Sequence, residues 1–216
     1  MAITPAVLVG CKGALSIVDP AGPAADDIAT LWWVMLVGSA MIFGLVIGLL
    51  VAAFVGKGGH AGSIRLWIAG LGIAFPMSVL AALLAYGLVV GERLLPHQDG
   101  AVVSVQAEAR QWTWSFAYGD APSHVTENVL HIPAGRPIDV AITSADVIHS
   151  FWVPRLAGKL DAIPGRVNTL RIQADLPGRY HGRSAEFSGD GYLGHEFLVV
   201  AHDPAGWERF LAKANK

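Results

Sequence analysis

The sequence contains one cysteine, Cys11, in 216 residues. A single thiol cannot supply the two bridging thiolates that a dinuclear copper centre requires, so such a centre built by this chain alone is excluded. The chain also lacks a CxxCH pair for covalent haem and a glycine-rich phosphate-binding loop. Charged residues make up only 15%, the formal net charge is −2 and there is no basic run, which excludes an electrostatic partnership with nucleic acid.

Two long stretches lack charge altogether. Residues 28–56 and 66–91 contain no Asp, Glu, Lys or Arg. Each exceeds the roughly 20 residues that an α-helix needs to cross about 30 Å of hydrocarbon. A pair of buried core helices would need more surrounding protein than the rest of the chain supplies, so the sequence predicts a transmembrane helical hairpin over residues 28–94. Pro76 lies inside the second stretch, where we expect it to kink the helix.

The charges outside these stretches predict their orientation. The loop at residues 57–65 holds two cations and no acid, whereas the preceding segment carries Asp19, Asp26 and Asp27 against Lys12 alone. The positive-inside rule therefore places the loop in the cytoplasm. Both termini and the large C-terminal part are then periplasmic, in the cytoplasmic (inner) membrane of a bacterium.

The amino terminus carries a possible lipidation signal. Residues 6–11 read AVLVGC and resemble a lipobox, in which the cysteine becomes lipid-modified and, after cleavage, the first residue. The ten residues before Cys11 contain no Lys or Arg, although an export signal normally begins with positive charge. Two interpretations stay open for Cys11, a lipidated residue and a free thiol. Residues 1–27 are interpreted as an exported N-terminal segment.

Residues 95–216 are predicted to form a separate β-rich domain. Short strand-like runs alternate with turn signals such as Gly119–Asp120–Ala121–Pro122 and Pro177–Gly178, a spacing typical of a β-sandwich or barrel. A short helix is predicted over residues 204–213, with Asp203 as N-cap. The predicted strands are residues 101–105, 112–118, 129–132, 137–142, 150–153, 168–172 and 197–201.

Two segments of this domain carry a family resemblance. Residues 146–168 read DVIHSFWVPRLAGKLDAIPGRVN, and residues 177–197 read PGRYHGRSAEFSGDGYLGHEF. Together they resemble subunit II of the haem-copper terminal oxidases. In the copper-bearing branch, the second segment supplies Cys-x3-Cys-x3-His-x2-Met to a dinuclear CuA site. The same spacing here gives Ser184, Ser188, Tyr192 and His195, and a serine hydroxyl is too hard a ligand to replace a bridging thiolate.

The altered loop resembles the copper-free loop of quinol oxidase subunit II, in which glycines and an aromatic residue occupy the emptied site. Residues 187–194 read FSGDGYLG. The resemblance implies a cupredoxin-like sandwich without CuA and no redox centre in this chain. It implies that subunit I, with its haems and CuB, oxidises quinol and reduces O2 to water, and that subunits III and IV and membrane lipid are further partners.

The resemblance also implies roles for individual residues. His149 matches the first copper ligand, and with His195 it offers two histidines that could hold a mononuclear metal, although a structural role is favoured. Glu186 matches a glutamate that reaches Mg2+ or Mn2+ at the boundary with subunit I; the alternative is an interface acid. Trp112 matches the residue at which cytochrome c delivers electrons, and packing of its indole against the sandwich and subunit I, as an interface residue, is the favoured interpretation here.

Charged residues of the first segment are expected to face subunit I near the haem propionates, and a solvated charged surface is the alternative. These interface candidates are Asp146, Arg155, Lys159, Asp161 and Arg166.

Two rival functions stay open from the sequence alone. One is an oxidase subunit that still serves cytochrome c by a route bypassing CuA. The other is a copper-binding assembly module, in which His149 and His195, with His181 or His202, form a delivery site. The second rival predicts stoichiometric copper in the isolated domain, and the quinol oxidase reading predicts none.

Overall fold

The structure is a computed structural model that describes residues 11–56, 63–96, 102–119 and 121–214. The chain divides into two compact units, Thr30–Leu94 and a second unit of Met1–Ala29 with Leu95–Lys216. Most of the lipobox and of the predicted cytoplasmic loop lies outside the described residues. Cys11 is described and is exposed.

The helical unit contains two helices long and apolar enough to cross a membrane. Helix α1 covers Pro23–Val55, and the second span consists of a π-helix at Leu66–Ala74 followed by helix α2 at Phe75–Arg93. The N–H of Phe75 donates to the carbonyl of Gly70, five residues back. The irregularity expected at Pro76 is therefore a change of helix type one residue before the proline, which lacks the N–H that a regular helix would use.

The other unit is a sandwich of two five-stranded sheets. The first sheet has the order β3-β2-β1-β5-β8 and the second β4-β10-β9-β6-β7. The β1/β5 and β4/β10 pairs are parallel, and the remaining pairs are antiparallel. The strands are β1 Val103–Arg110, β2 Thr113–Tyr118, β3 Ala121–Glu127, β4 Val129–Pro133, β5 Ile138–Ser144, β6 His149–Trp152, β7 Leu160–Ala162, β8 Asn168–Ile172, β9 Gly178–Ser184 and β10 Glu196–His202.

Strict alternation of buried and partly exposed residues builds the core. In β5 every second residue from Ile138 to Ser144 is buried, and in β2 Trp114, Phe116 and Tyr118 point inward. These side chains pack against residues of the opposite sheet such as Phe197, whose ring lies 5.7 Å from that of Phe116. The predicted two-helix hairpin and β-sandwich are confirmed.

The strand prediction was incomplete. Strands β3, β7 and β9 were missed, and β1 begins at Val103 and extends to Arg110 instead of covering residues 101–105. The inward residues of β9 are Tyr180, Gly182 and Ser184, which do not give an apolar period of two. Gly182 lies beneath Phe197, whose ring a Cβ at that position would overlap. A small residue is therefore needed where a hydrophobic one would have signalled a strand.

The segment just before α1 is fastened to the sandwich. The N–H of Ala21 donates to the Arg155 carbonyl at 2.7 Å, and the N–H of Asp175 donates to the Ala21 carbonyl at 2.9 Å. Arg155 also pairs with Asp19 at 3.1 Å. A Cβ on Gly22 would overlap the carbonyl of Gln173, so this close approach requires glycine.

Helix α3, Pro204–Ala214, closes the sandwich as predicted. The carboxylate of Asp203 accepts a hydrogen bond from the N–H of Gly206 at 2.7 Å, which satisfies one free donor of the first turn. Trp207 is buried, and Phe210 and Leu211 pack against the core.

Candidate functional site

The residues that align with the copper ligands meet at one end of the sandwich. His149 opens β6, Ser184 ends β9, and His195 immediately precedes β10. The rings of His149 and His195 lie 4.9 Å apart, and both side chains are fully buried. Trp114 from β2 stacks on His195 at 5.5 Å. The sequence analysis missed Trp114, although the alternation along β2 places it on the inner face.

Asp146 fixes the orientation of His149. Its Oδ1 accepts a hydrogen bond from His149 Nε2 at 2.8 Å and another from the N–H of Val147, and its Oδ2 accepts one from the N–H of Gln111 at 2.8 Å. Because Nε2 donates to the carboxylate, the other nitrogen, Nδ1, faces the interior without a proton when the ring is neutral. Asp146 thus joins three segments of this chain, and because it is exposed it also stays a predicted interface residue.

This end of the sandwich contains a cluster of buried polar atoms without hydrogen-bond partners. In the described part of the chain there are six such side-chain atoms, and all belong to residues at or next to this end of the sandwich. Buried polar atoms are normally paired, and a cluster of exceptions indicates a water molecule, an ion or a lost ligand. The atoms are His149 Nδ1, His195 Nδ1 and Nε2, Ser150 Oγ, Ser188 Oγ and Trp114 Nε1.

A dinuclear CuA centre does not fit these residues. Ser184 and Ser188 stand where the thiolates are required, and the Ser184 hydroxyl accepts a hydrogen bond from the N–H of Ser150 at 3.3 Å. Tyr192 lies in a 3₁₀ turn, half buried, with its ring 5.2 Å from that of Phe187. Cys11, the only cysteine of the chain, is exposed in the segment before α1. No soft ligand is available to bridge two coppers.

The indole of Trp112 covers the glycine loop. A Cβ on Gly191 would lie 2.7 Å from Trp112 Nε1, and one on Gly189 would lie 3.0 Å from its Cη2. Gln111 reinforces the contact because its side-chain amide donates to the carbonyl of Ser188. The indole therefore packs where side chains on the loop would otherwise project, and its ring lies 6.2 Å from His195.

The pKa values of His195 and Asp146 are both lowered. Burial and nearby His149 lower the pKa of His195 to about 4, although the Thr113 backbone and Asp146 act to raise it. Burial alone would raise the pKa of Asp146, but hydrogen bonds from Gln111, His149 and Val147 lower it to about 2. At neutral pH the site holds a carboxylate and a neutral His195.

Comparisons with known proteins agree with this geometry. Residues 123–202 match the family described as cytochrome c oxidase subunit II, periplasmic domain. Quinol oxidase subunit 2 of Bacillus subtilis is 32% identical over 211 residues, which cover 90% of this chain and 64% of that protein. The chain is therefore similar over most of its length to oxidase subunit II, and residues 123–202 match the periplasmic domain of that family.

Two further proteins show the same similarity to oxidase subunit II. Quinol oxidase subunit 2 of Bacillus cereus is 37% identical over 114 residues, 53% of this chain and 39% of that protein. The crystal structure of the periplasmic domain of subunit II of cytochrome oxidase from Bradyrhizobium japonicum matches with 26% identity and a TM-score of 0.52, covering 55% of this chain and 96% of that one. The sandwich is therefore cupredoxin-like, and the two apolar helices together with these similarities indicate a membrane protein with a periplasmic domain. The chain spans 39% to 64% of the length of these curated relatives.

The other predicted interface residues of this chain lie between strands β6 and β8. Arg155 is engaged with Asp19 and lies over the Tyr180 ring. Lys159 Nζ lies 4.0 Å from a carboxylate oxygen of Glu186, and both side chains are about half exposed. Asp161 uses its backbone carbonyl to accept from Asn168, and Arg166 is exposed. Arg155 therefore makes contacts within the chain while partly exposed, and Lys159, Glu186 and Arg166 face outward; their contact with subunit I stays a prediction.

The additional histidines considered for a copper-delivery site lie elsewhere. His181 is exposed on β9, and His202 lies at the far end of β10, where it contacts His131. Of the four histidines considered for that site, the structure brings only His149 and His195 together. Among the described residues no group of three potential metal-ligating side chains occurs.

Proposed function

We propose that this chain is subunit II of a haem-copper quinol oxidase in an aerobic respiratory chain. Subunit I would oxidise two quinols per O2 and form water at its haems and CuB. This chain would contribute no redox centre and no catalytic residue; it would cap, orient and stabilise subunit I. The observation that carries the proposal is the refilled copper site, in which serines replace thiolates and Trp112 packs on the glycine loop.

The same observation separates quinol from cytochrome c as electron donor. A docked cytochrome c needs a one-electron acceptor behind its contact surface, and the thiolate-bridged pair that provides one has no ligands here. A quinol reaches its oxidation site through the membrane, so it does not need that acceptor. Quinol would therefore bind through subunit I, and the names of the Bacillus relatives point the same way.

The outward-facing charges would form the contact with subunit I. Lys159 and Arg166 would pair with carboxylates there. Glu186 retains a hard carboxylate that suits Mg2+ or Mn2+, with the remaining ligands coming from subunit I. Subunits III and IV and membrane lipid would complete the surroundings of the two helices.

The proposed location is the bacterial cytoplasmic membrane, with both termini and the sandwich on the periplasmic side. The charge difference between the loop at residues 57–65 and the segment before α1 supports this orientation. Exposed Cys11 suits lipidation as well as a free thiol. A lipid there would position a segment that is tied to the sandwich through Asp19 and Ala21.

Turnover of the purified complex tests the donor. We expect O2 consumption with a soluble quinol and none with reduced cytochrome c. Trp112→Phe should leave quinol turnover unchanged, since no electron passes through the indole. Cytochrome c turnover that is lost in Trp112→Phe would overturn the proposal and favour the cytochrome c-linked rival.

The unpartnered nitrogens of His149 and His195 favour one second candidate, a copper-binding assembly module. Both imidazoles are buried with their rings 4.9 Å apart, and Asp146 orients one of them as carboxylates orient metal-binding histidines. The module would hold one Cu+ or Cu2+ in the full-length chain without subunit I. Equilibrium dialysis against copper distinguishes the two functions, provided that His149→Gln is compared with the parent chain.

A further inference from the structure

A second pair of histidines lies at the opposite end of β10 from the refilled copper site. His131 of β4 and His202 of β10 lie on adjacent parallel strands, and His131 is in register with Val200, two residues before His202. Both side chains therefore project from the same face of the sheet. His131 Nδ1 and His202 Nε2 are 2.8 Å apart, and the two rings are nearly parallel.

Helix α3 and the two histidines border a cavity that is open to solvent beside this pair. Its volume is about 590 Å³. The ring of Phe210 stacks on His131 at 4.4 Å and holds it against the helix. Both imidazoles are only partly exposed, and both line the cavity. The other lining residues used here are Gly206, Arg209 and Lys213.

We propose that His131 Nδ1 and His202 Nε2 bind a divalent transition-metal ion whose remaining coordination positions open into this cavity. Imidazole nitrogen is a ligand that Zn2+, Cu2+ and Ni2+ accept, at roughly 2.0–2.1 Å. Two such bonds at a tetrahedral angle place the nitrogens about 3.3 Å apart. The observed 2.8 Å is the spacing of one shared proton, so the rings need to separate by only about 0.5 Å to exchange the proton for a metal ion.

The imidazoles are in the protonation state that a metal requires. Burial, with smaller effects of His202 and His124, lowers the pKa of His131 to about 4. Burial also lowers the pKa of His202, opposed by the Asp203 carboxylate and assisted by Arg209. In the neutral pair the shared proton moves to the other nitrogen of its own ring when the metal ion binds, so no net proton is released at pH 7.

The other residues around the cavity determine how firmly a metal ion would be held. Among the described residues no third histidine, cysteine, aspartate or glutamate completes a ligand set. Two protein ligands leave open positions for water or an external ligand, so the ion is exchangeable and not a closed structural centre. The cations Arg209 and Lys213 disfavour a bare ion, and they favour an anionic ligand on its open side. The inference does not depend on the electron donor of the oxidase.

Copper(II) binding to the full-length chain in detergent, produced without a polyhistidine tag, tests the site. Cu2+ binds imidazole most tightly of the common divalent ions, and its electron paramagnetic resonance spectrum reports coordinated nitrogen. We expect one Cu2+ per chain with two imidazole nitrogens, removed by a chelator. His131→Gln and His202→Gln should each weaken binding by about 10–100-fold or more, since each removes a direct ligand. The matched control, His181→Gln, changes an exposed histidine of β9 and should bind as the parent does.

Copper binding that survives both variants, or that is lost equally in the control, would overturn the proposal. Loss on His149→Gln with retention in His131→Gln would place the ion at the other end of the sandwich and would also overturn it. A second measurement needs no variant. Zn2+ should slow diethyl pyrocarbonate modification of His131 and His202, but not of His181, in the parent chain; equal modification rates with and without Zn2+ would refute the site.

Discussion

Substitution of Gly191 by alanine tests whether Trp112 truly fills the emptied site. The new Cβ would overlap the indole, lying 2.7 Å from Nε1 and 2.8 Å from Cδ2, where ordinary contacts begin near 3.4 Å. The indole is rigid and also touches the position of Gly189, so it must move by roughly 1 Å or the loop must shift. Such overpacking costs about 1–3 kcal/mol. Gly191 has a φ of −91°, so backbone strain adds nothing.

Thermal unfolding of the full-length chain in detergent, followed by near-ultraviolet circular dichroism, measures this cost. For a domain of this size about 1 kcal/mol corresponds to roughly 4 °C, so Gly191→Ala should lower Tm by about 4–12 °C. Gly194→Ala is the matched control, because no atom lies within 4 Å of its added Cβ, and it should be neutral or slightly stabilising.

A double-mutant cycle assigns the effect to the indole. In a Trp112→Ala background the added methyl meets no ring, so Gly191→Ala should cost at least about 1 kcal/mol less there. Equal costs in both backgrounds, or a Gly191→Ala chain as stable as Gly194→Ala, would refute the claim that Trp112 refills the loop.

Three other predictions concern charge and orientation. Asp146→Ala leaves the His149 ring and two backbone N–H groups without an acceptor and should lower the free energy of unfolding in urea by about 2 kcal/mol, whereas exposed Asp190→Ala should change it by less than about 0.5 kcal/mol; equal effects would contradict the anchoring role. Because the pKa of His195 is about 4 in the folded state and about 6.5 when unfolded, the unfolded chain binds more protons between these values. The contribution of neutral His195 to the free energy of unfolding is complete above pH 6.5 and falls by at most about 3 kcal/mol as the pH drops to 4. Urea titrations of His195→Phe at several pH values should show a smaller dependence of the free energy of unfolding on pH, and an unchanged dependence would count against the shifted pKa. In a Cys11→Ser, Asp190→Cys chain, a membrane-impermeant maleimide should label intact spheroplasts, and labelling only after lysis would reverse the orientation.

The sequence predicted the features that depend on long or periodic patterns. The charge-free stretches gave both helices of the hairpin, and β8 at Asn168–Ile172 matched its predicted bounds, because alternation there is regular. Strand β9 was not predicted because its inward positions hold glycine and serine. Strand β3 was not predicted because it is polar and pairs only at a sheet edge. Small or polar inward residues carry no hydrophobic period.

The sequence predicted which residues lie at the site but not the hydrogen bonds that join them. The resemblance to the copper-bearing branch predicted that His149, Ser184, Ser188 and His195 lie together, since they follow the pattern of its ligand set. The hydrogen bond from His149 to Asp146 was not predicted, because the roles of both residues came from their positions in the family pattern and not from the reach of their side chains. The His131–His202 pair joins strands distant in sequence, and no local motif marks such a contact.

The most direct test of the central claim is the copper content of the purified oxidase complex after dialysis against a chelator, which removes exchangeable ions from open sites. We expect one copper per complex, held in subunit I, with the same count in Ser184→Ala and Ser188→Ala variants. Two or more retained coppers, falling to one in His149→Gln, would contradict the proposal that this chain contributes no redox centre.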